Sequence, residues 1–474
     1  MFISPKITAS TSFSPGGDVL HFSTTGGTQP DGISEREFSG RHNQLLLIHL
    51  EGRRELWVGL GDPDSINRRT FNHLCGTAAR RLQSIGCTEL TINLHQFADF
   101  VGPAVEGLII ALHKFDTFLP REKKSESSIT KVIITVPSER LRDARKEIKD
   151  SIVLAEATNL ARQIGDSPPN HLVPATLAQE AKKAAAKWGL GCRIWTESML
   201  AKEGFGGILG VGQGSINPPR LIRLDYDAPS KKAPTLLVIG KAVTFDTGGI
   251  SIKGRAGLAE MKWDKMGGCA ALGIAVAAAR LKIPINLTVL IPAVENMPDG
   301  KAFRPGDILS IYGGQTVEII DTDAEGRLIL ADALAYGAAK IAPAAAITLA
   351  TLTGACIVAL GNQRAGLFTT NQEWSKQLLE LGESCGDRVW PLPLGDEYAT
   401  EMNSHVASIK NLGSREAGAS SAASFLAFFA GKMPLIHLDI AGPAQITTAK
   451  SWLEEGATGF GVRLISHFAR KFTP

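Results

Sequence analysis

Two short acidic stretches, each directly after an apolar run, most constrain what this chain can fold into. In the first, GKAVTFDTGG at 240–249 follows the apolar residues 235–239. In the second, DTDAEGRL at 321–328 follows the strand-like residues 317–320 and leads into a predicted helix. A solvated loop is the alternative for either stretch taken alone. Because ligands bind at the carboxyl ends of strands in open α/β sheets, the pair predicts one shared site.

Strands and helices alternate along the chain, which predicts an α/β fold with mixed, mostly parallel sheets flanked by helices. A smaller N-terminal α/β domain (residues 1–150) is expected to be joined by a long helix (139–163) to a larger C-terminal domain (151–474). The predicted strands lie at 44–50, 55–60, 89–94, 131–136, 192–195, 207–211, 221–225, 235–239 and 285–294, and the other predicted helices lie at 68–85, 105–114, 175–188 and 267–281.

Composition favours a well-packed enzyme-like chain over a nucleic-acid or membrane protein. The chain has 474 residues, of which 44% are hydrophobic and 20% charged, so it can bury a large core. The formal net charge is only +3, and the first 150 residues are similarly balanced, so we expect no nucleic-acid partner. The uncharged run at 341–363 contains proline, glycine and threonine, which predicts a buried strand, a turn and a short helix instead of a membrane span.

The cysteines and the N-terminal segment indicate a cytoplasmic protein. The six cysteines are scattered without close pairs, so we expect free thiols in a reducing compartment. Residues 1–27 contain neither an apolar signal core nor an arginine-rich amphipathic pattern, so no secretion or transit signal is predicted. The Ser-rich charged run at 121–128 is predicted to be a solvated loop.

The chemistry of the site must use oxygen and amine ligands. No histidine lies between His171 and His405, which excludes a His-ligated zinc site and a Ser-His-Asp triad from this region. The two stretches instead bring four carboxylates, which repel one another unless cations neutralise them. Two divalent ions would balance the four charges and would turn a bridging water into a nucleophile. These carboxylates are Asp246, Asp264, Asp323 and Glu325.

Three basic residues accompany the acids. Lys241 and Lys253 could form plain salt bridges, or one could bind a metal as a neutral amine while the other stays charged and polarises a carbonyl. Arg327 cannot lose its proton and offers a planar fork to an anion. Asp332, inside the following helix, is interpreted as an ordinary acid on a helix face.

These residues resemble the leucyl aminopeptidase (cytosol aminopeptidase) family of two-metal exopeptidases. The family signature NTDAEGRL corresponds to DTDAEGRL at 321–328, and GKGxTFDxGG corresponds to GKAVTFDTGG at 240–249. Further similar segments follow in order through the C-terminal domain, whereas residues 1–150 match only loosely. The resemblance implies a catalytic C-terminal domain, an oligomeric or regulatory role for the N-terminal domain, and a homohexamer.

The resemblance also implies roles residue by residue. One metal would be bound by Asp246, Asp323 and Glu325, and the other by Lys241, Asp246, Asp264 and Glu325. Lys253 would polarise the scissile carbonyl and stabilise the gem-diolate, and Arg327 would hold a bicarbonate that acts as general base. The free α-amine of the peptide would complete the second metal's shell. The side chain of the peptide's N-terminal residue would contact Met261, Thr351, Gly354 and Ala457. For Met261 and Thr351, plain core packing is an equal alternative.

The chain departs from the family pattern at two positions. Asp321 replaces the usual asparagine and adds a fifth acid, and Ala242 replaces a glycine beside the ligand lysine. Neither change removes a ligand. The oxygen-rich site accepts manganese or zinc, and possibly magnesium. The predicted activity is removal of N-terminal leucine and other apolar residues from peptides; the alternatives are a DNA-binding accessory protein of the same family and another two-metal hydrolase such as a phosphatase.

Overall fold

Two large sheets organise the chain in the computed structural model, which describes residues 4–13, 16–120, 122 and 129–474. The first compact unit comprises Met1–Asn159, Ser384–Gly386 and Thr447–Glu455, and the second comprises Leu160–Glu383, Asp387–Ile446 and Gly456–Pro474. Apart from residue 122, the loop predicted at 121–128 lies outside the described residues. Within the described residues, no helix combines the length and apolar character needed to cross a membrane.

The first unit is built on a six-stranded sheet. Its strands are β1 (Lys6–Ser10), β2 (Asp18–Thr24), β3 (Leu45–Leu50), β4 (Arg53–Gly61), β5 (Glu89–Asn93) and β6 (Lys131–Thr135). They stand in the order β1-β6-β5-β2-β4-β3, and β3 alone runs antiparallel to its neighbour. The helices α1 (Arg68–Ser84) and α2 (Val101–Leu112) pack against each other, and α3 (Leu141–Gly165) follows.

The second unit is built on a nine-stranded mixed sheet in which parallel pairs outnumber antiparallel ones. Eight strands stand in the order β16-β15-β18-β14-β9-β11-β8-β7, and β10 pairs with β11. Their bounds are β7 (Gly191–Trp195), β8 (Arg220–Tyr226), β9 (Thr235–Gly240), β10 (Ala242–Asp246), β11 (Asn286–Asn296), β14 (Ala345–Ala350), β15 (Ala365–Phe368), β16 (Val389–Pro391) and β18 (Leu435–Asp439). The central strands β9 and β14 are apolar and buried because helices cover the sheet.

Ten helices of the second unit follow α3 within the described residues. They are α4 (Pro174–Trp188), α5 (Glu197–Glu203), α6 (Gly206–Gly212), α7 (Met266–Leu281), α8 (Gly326–Tyr336), α9 (Gly354–Leu360), α10 (Gln372–Cys385), α11 (Asp396–Thr400), α12 (Gly418–Ala430) and α13 (Val462–Lys471). Smaller sheets are formed by β12 (Ile308–Ser310), β13 (Thr316–Glu318) and β17 (Ile409–Lys410), and by β19 (Gln445–Ile446) and β20 (Gly456–Ala457).

Most long elements occur where the periodicity predicts them, but three predictions need correction. The strand predicted at 207–211 is wrong, because this apolar run forms helix α6. The helix predicted at 105–114 begins earlier, at Val101, and ends at Leu112. Residues 1–27, for which no strand was predicted, contribute β1 and β2 to the first sheet. The uncharged run at 341–363 forms β14, a turn and α9, as predicted.

Close packing between α7 and the sheet fixes the place where the first acidic stretch begins. Gly267 and Gly268 open α7, and a Cβ on Gly267 would overlap the carbonyl oxygen of Leu349 in β14. The amide of Gly268 donates a hydrogen bond of 2.6 Å to the carbonyl of Lys241, between β9 and β10. The glycines therefore let α7 approach the sheet closely enough to anchor the backbone of Lys241.

Candidate metal centre

Three of the predicted ligands lie in one small carboxylate cluster. Asp246 ends β10, while Asp323 and Glu325 lie in the turn that joins β13 to α8. One carboxylate oxygen from each residue lies within 4.8 Å of the other two. Asp246 and Glu325 are buried, whereas Asp323 is partly exposed. These three oxygens are close enough to share one cation.

Lys241 brings the fourth acid into the same cluster. Its Nζ lies 2.8 Å from Asp264 Oδ1 and 2.8 Å from Glu325 Oε1, and it donates a hydrogen bond of 2.9 Å to the carbonyl of Thr351. Asp264 follows the short 3-10 helix Leu258–Trp263. The five residues predicted to bind metal therefore meet at one place, although they come from three segments of the chain.

Lys253 bridges the two acidic stretches. Its Nζ lies 2.9 Å from Asp246 Oδ2 and also pairs with Asp323 Oδ1. The side chain is 23% exposed, so the ammonium group lies at the boundary between the cluster and solvent. In this arrangement Lys241 and Lys253 both form salt bridges. Salt bridging is one of the two alternatives that the sequence left open for these lysines.

The charges in the cluster do not balance. Burial raises the pKa of Asp264 well above its ordinary value, and the nearby Glu325 and Asp246 add to the rise. Burial, reinforced by Glu325 and Asp246, also raises the pKa of Asp323 to about 7. For Lys241 and Lys253 burial lowers the pKa, but the surrounding carboxylates outweigh it and raise the net value. Four acids thus face two lysines, so negative charge is in excess when all four acids are ionised.

A divalent cation fits the donor atoms of this cluster. Asp264 Oδ1 accepts a 2.7 Å hydrogen bond from Thr351 Oγ1, but Asp264 Oδ2 is buried and accepts no hydrogen bond from any described residue. A buried carboxylate oxygen without a partner carries a desolvation cost of roughly 1–3 kcal/mol or more. A hard cation would satisfy this oxygen and offset the excess negative charge.

Asn296, at the end of β11, connects the two acidic stretches by hydrogen bonds. Its Nδ2 donates hydrogen bonds of 2.8 Å to Asp246 Oδ1 and 3.0 Å to the carbonyl of Thr322. The amide of Gly248 donates to the same Asp246 oxygen at 2.9 Å. Sequence reasoning did not assign a role to Asn296; its position at the end of a long apolar strand was the available signal.

Arg327 is buried near the carboxylates and is held by Asn411. Its Nη1 donates a 2.8 Å hydrogen bond to the carbonyl of Asn411, and the Asn411 side chain accepts from the amide of Ile320 at 2.7 Å. Burial lowers the pKa of Arg327 to about 10. Its Nε makes no hydrogen bond with any residue in the described part of the chain. One buried donor on a cation is thus available for an anion, and Asn411 was not identified from the sequence.

The residues predicted to contact the side chain of the peptide's N-terminal residue occur in two places. Met261 lies in the 3-10 helix that leads to Asp264, and Ala457 is buried in β20. Asp166 joins these segments, because its Oδ1 accepts from Trp263 Nε1 at 2.8 Å and from the Ala457 amide at 2.7 Å. Thr351 contacts Asp264 directly, as described above.

Gly354 lies farther along the loop that contains Thr351. It begins α9 and lines a cavity of about 640 Å³, whose lining residues do not include Met261, Thr351 or Ala457. The structure therefore links the 3-10 helix that contains Met261 to Ala457 through Asp166, and it places Gly354 at a separate cavity.

Asp332 is not the ordinary helix-face acid that the sequence indicated. It is fully buried in α8, where Oδ2 accepts from the Ile208 amide at 2.7 Å and Oδ1 accepts from the Tyr312 amide at 2.7 Å. Burial raises its pKa to about 7. Asp332 thus satisfies an amide in the first turn of α6, which has no side-chain cap of its own.

The two departures from the family pattern are accommodated locally. Asp321 Oδ1 accepts a 2.9 Å hydrogen bond from the amide of Asp323, so it stabilises the acidic turn. Ala242 is buried in β10, pairs with Ala293, and is not among the residues with positive φ. An alanine Cβ therefore causes no backbone strain at that position.

Comparisons with known proteins identify similar chains along nearly the whole length. Residues 159–466 match the catalytic domain of the cytosol aminopeptidase family, and residues 7–122 match the N-terminal domain of the same family. A probable cytosol aminopeptidase of Cenarchaeum symbiosum is 41% identical over 438 residues, covering 91% of this chain and 88% of the relative. One from Geobacter sulfurreducens is 39% identical over 447 residues, covering 92% and 90%.

A solved structure has the same fold. The bottromycin maturation enzyme BotP in complex with Mn superposes with a TM-score of 0.88 at 31% sequence identity, covering 96% of this chain and 99% of that one. The similarity includes both units of the chain, since nearly all of each protein is covered.

Proposed function

Because the chain belongs to the cytosol aminopeptidase family, and is therefore a metal-dependent aminopeptidase that hydrolyses peptide bonds, we propose that it uses two divalent ions to remove N-terminal leucine and other apolar residues. The observation that carries this proposal is the cluster of four acids around Lys241, with excess negative charge and one buried oxygen, Asp264 Oδ2, without a hydrogen-bond donor among the described residues.

The proposed ligand sets are those that the family resemblance implies, and the geometry of the cluster supports them. Asp246, Asp323 and Glu325, whose oxygens lie within 4.8 Å of one another, would bind one ion. Lys241, Asp246, Asp264 and Glu325 would bind the other, which is consistent with the 2.8 Å contacts of Lys241 Nζ. When bound, the two ions would neutralise the acids and lower the pKa of a water molecule so that it can attack the amide.

The two lysines would have different tasks. Lys241 must give up one proton from Nζ to act as a ligand, and nearby cations favour that loss. Lys253 would stay charged, because its pKa is raised by the surrounding acids despite burial. Once cations occupy Asp246 and Asp323, the N–H groups of Lys253 would be available to donate to the carbonyl oxygen of the scissile amide.

Arg327 would hold the group that takes a proton from water. It remains cationic near neutral pH, and its Nε has no partner among the described residues. A bicarbonate on this guanidinium would supply the general base, and Asn411 would orient the guanidinium through the 2.8 Å hydrogen bond to its carbonyl.

Substrate selection would depend on the free N-terminus and on the first side chain. The α-amine of the peptide would complete the ligands of the second ion, so blocked peptides would not be cleaved. Met261, Thr351, Gly354 and Ala457 are proposed to contact the first side chain. Asp166 joins Ala457 to Trp263, which lies in the same 3-10 helix as Met261, and this link supports a shared role for Met261 and Ala457.

Metal identity, assembly and location are part of the same proposal. Manganese or zinc, and possibly magnesium, suits an oxygen-rich ligand set, and the Mn complex of BotP favours manganese. A cytoplasmic homohexamer without nucleic-acid or membrane partners is proposed from the family and from the balanced charge of +3. An oligomeric or regulatory role is proposed for the N-terminal domain, residues 1–150.

The proposal is tested with Leu-peptides that carry free or acetylated N-termini. We expect cleavage of the free peptide alone, loss of at least about 100-fold in activity after chelation, and recovery when Mn or Zn is added back. A phosphate monoester serves as a control substrate and should not be hydrolysed. Equal cleavage of the acetylated peptide, or full activity in protein shown by elemental analysis to be metal-free, would refute the proposal.

A further inference from the structure

The loop 351–353 touches the carboxylate cluster on one side and a buried acid on the other. It leaves β14 after Ala350 and leads into α9. Its three residues, Thr351, Leu352 and Thr353, are partly exposed, so burial alone does not hold the loop in place. The buried acid is Asp439, the last residue of β18, which pairs with Ala350 of the neighbouring parallel strand.

On the cluster side, Thr351 contacts Asp264 and Lys241, two of the proposed metal ligands. Its Oγ1 donates a 2.7 Å hydrogen bond to Asp264 Oδ1, so Oδ2 is the Asp264 oxygen that remains without a donor among the described residues. The carbonyl of Thr351 accepts a 2.9 Å hydrogen bond from Lys241 Nζ. A neutral lysine amine has two N–H groups and one lone pair. A hydrogen bond from one N–H to this carbonyl therefore limits the directions in which the lone pair can point.

On the opposite side, the loop donates hydrogen bonds to Asp439. Its Oδ1 accepts from the Leu352 amide at 3.1 Å, and its Oδ2 accepts from Thr353 Oγ1 at 2.6 Å. Thr353 Oγ1 also accepts a 3.1 Å hydrogen bond from the Cys356 amide, so the same hydroxyl caps α9. Asp439 is fully buried and forms no ion pair with any residue in the described part of the chain. Its carboxylate is satisfied by loop donors instead of a cation.

Asp439 is suited to hold the loop because it lies on the paired sheet. β14 and β18 pair along five residues, and the Ile440 amide donates a 2.8 Å hydrogen bond to the carbonyl of Ala350. The loop therefore leaves the sheet directly beside Asp439. Two further hydrogen bonds then fix its path towards the cluster.

We propose that Asp439 is a positioning residue for metal binding, which ties the loop 351–353 to the sheet so that Thr351 orients Asp264 and Lys241 towards a divalent cation. Asp439 itself would not touch the ion. This inference rests on the proposed function, in which Asp264 and Lys241 bind the same one of two ions. Replacing a group that orients metal ligands through hydrogen bonds typically lowers metal affinity about 10–100-fold.

The test is calorimetric titration of Mn into metal-free protein, with Thr353→Val compared with Thr353→Ser. Valine has nearly the shape of threonine but no hydroxyl, so it loses the hydrogen bond to Asp439, whereas serine keeps it. We expect one of the two binding steps to weaken about tenfold in Thr353→Val and to stay within about twofold of the parent protein in Thr353→Ser. Unchanged affinities in Thr353→Val would overturn the proposal.

Thr70→Val is the matched control. Thr70 Oγ1 accepts a 3.3 Å hydrogen bond from the Asn67 amide at the start of α1, so this variant also removes a hydroxyl from a helix start, but in the first unit. Both Mn-binding steps should keep the affinities of the parent protein. An equal loss in Thr70→Val and Thr353→Val would show that the effect is not specific to the loop 351–353.

Asp439→Asn tests the other partner of the same hydrogen bond. Asparagine can still accept from the Leu352 amide, but it no longer offers both oxygens, so the same binding step should weaken as in Thr353→Val. The Thr353 hydroxyl remains available to cap α9. Normal Mn affinity in a folded Asp439→Asn protein would assign the loss in Thr353→Val to the cap and refute the proposal. If Asp439→Asn does not fold, the comparison of Thr353→Val with Thr353→Ser decides.

A double variant identifies which ion is affected. Asp264→Asn is expected to remove the ion that Asp264 and Lys241 share, so adding Thr353→Val should leave the affinity for the remaining ion within about twofold. A further tenfold loss there, or equal weakening of both steps in Thr353→Val alone, would mean that the substitution disturbs the whole cluster, and would overturn the proposal.

Failure of the proposed function has a different signature. A parent protein that takes up fewer than two ions per chain in the same titration would refute the two-ion function, and this inference with it. Two ions in the parent protein, with unchanged affinities in both Thr353→Val and Asp439→Asn, would refute the positioning role of Asp439 alone.

Discussion

Asp264 illustrates at the residue scale why the acids of this chain require a cation. One of its oxygens is held by Lys241 and by the hydroxyl of Thr351, while the other is buried without a donor in the described part of the protein. Burial raises its pKa well above the ordinary value. A buried acid in that state is costly unless it is protonated or bound to metal.

Replacing Asp264 by asparagine should remove one metal ion and most of the activity. Asparagine keeps the shape but offers a neutral ligand, so we expect elemental analysis to show about one ion fewer per chain and kcat/KM to fall at least about 100-fold. Asp225→Asn is the control, because Asp225 pairs with Arg223 at the other end of the sheet. Full metal content and activity in Asp264→Asn would show that the ligand assignment is wrong.

The pKa of Asp323 predicts how metal affinity depends on pH. Burial and the neighbouring Glu325 and Asp246 raise its pKa to about 7, so in the metal-free protein the group is protonated below pH 7 and ionised above it. Since the bound ion requires the carboxylate, affinity should fall as pH decreases below 7, by up to about tenfold per unit for this proton.

Titrations of Mn into metal-free protein at pH 6, 7 and 8 measure this dependence. In Asp323→Asn the additional loss of affinity below pH 7 should disappear, although affinity at pH 8 should also be weaker. An identical pH profile in the variant and the parent protein would show that Asp323 does not exchange a proton for the metal.

At the element scale, α6 and α8 show how a distant acid can decide secondary structure. Residues 206–212 are glycine-rich and apolar, and Phe205 before them offers no side-chain cap. Asp332 in α8 supplies the missing acceptor for the Ile208 amide and also binds the Tyr312 amide. Because a short apolar run does not separate strand from helix by periodicity, the sequence alone favoured a strand there.

Removing this acceptor should destabilise the second unit. In Asp332→Ala the buried amide of Ile208 and the partly buried amide of Tyr312 lose their acceptor, so we expect the free energy of unfolding to fall by about 3 kcal/mol. Asp332→Asn should cost less, because one oxygen remains. The comparison is made by chemical denaturation, with Glu180→Ala as control, since Glu180 forms only an exposed ion pair with Lys183. Equal stability of Asp332→Ala and the control would contradict the role of Asp332.

At the scale of the whole molecule, the single chain leaves large apolar side chains in contact with solvent. Ile216 is 96% exposed and Val406 is 64% exposed. Single exposed side chains are normal, but subunit contacts would cover some of them. This observation supports the proposed assembly without identifying the faces involved.

Mass photometry should find particles of about six times the 50.5 kDa chain mass. The measurement is made with metal-loaded protein at moderate salt, so that surface charge does not control association. Particles with the mass of one chain at micromolar concentration would exclude the hexamer while leaving the proposed chemistry untested by this result.

The sequence by itself determined the α/β alternation and the family, because apolar periodicity and ordered motifs are local properties of the chain. It also indicated that acids after two apolar runs would share a site. Only the tertiary structure decided the partners: Asn296 joins Asp246 to Thr322, Asn411 holds Arg327, and Asp332 caps α6. These hydrogen bonds connect residues that are 26 to 124 positions apart. Their formation depends on how strands and helices pack, and no local pattern encodes that distance.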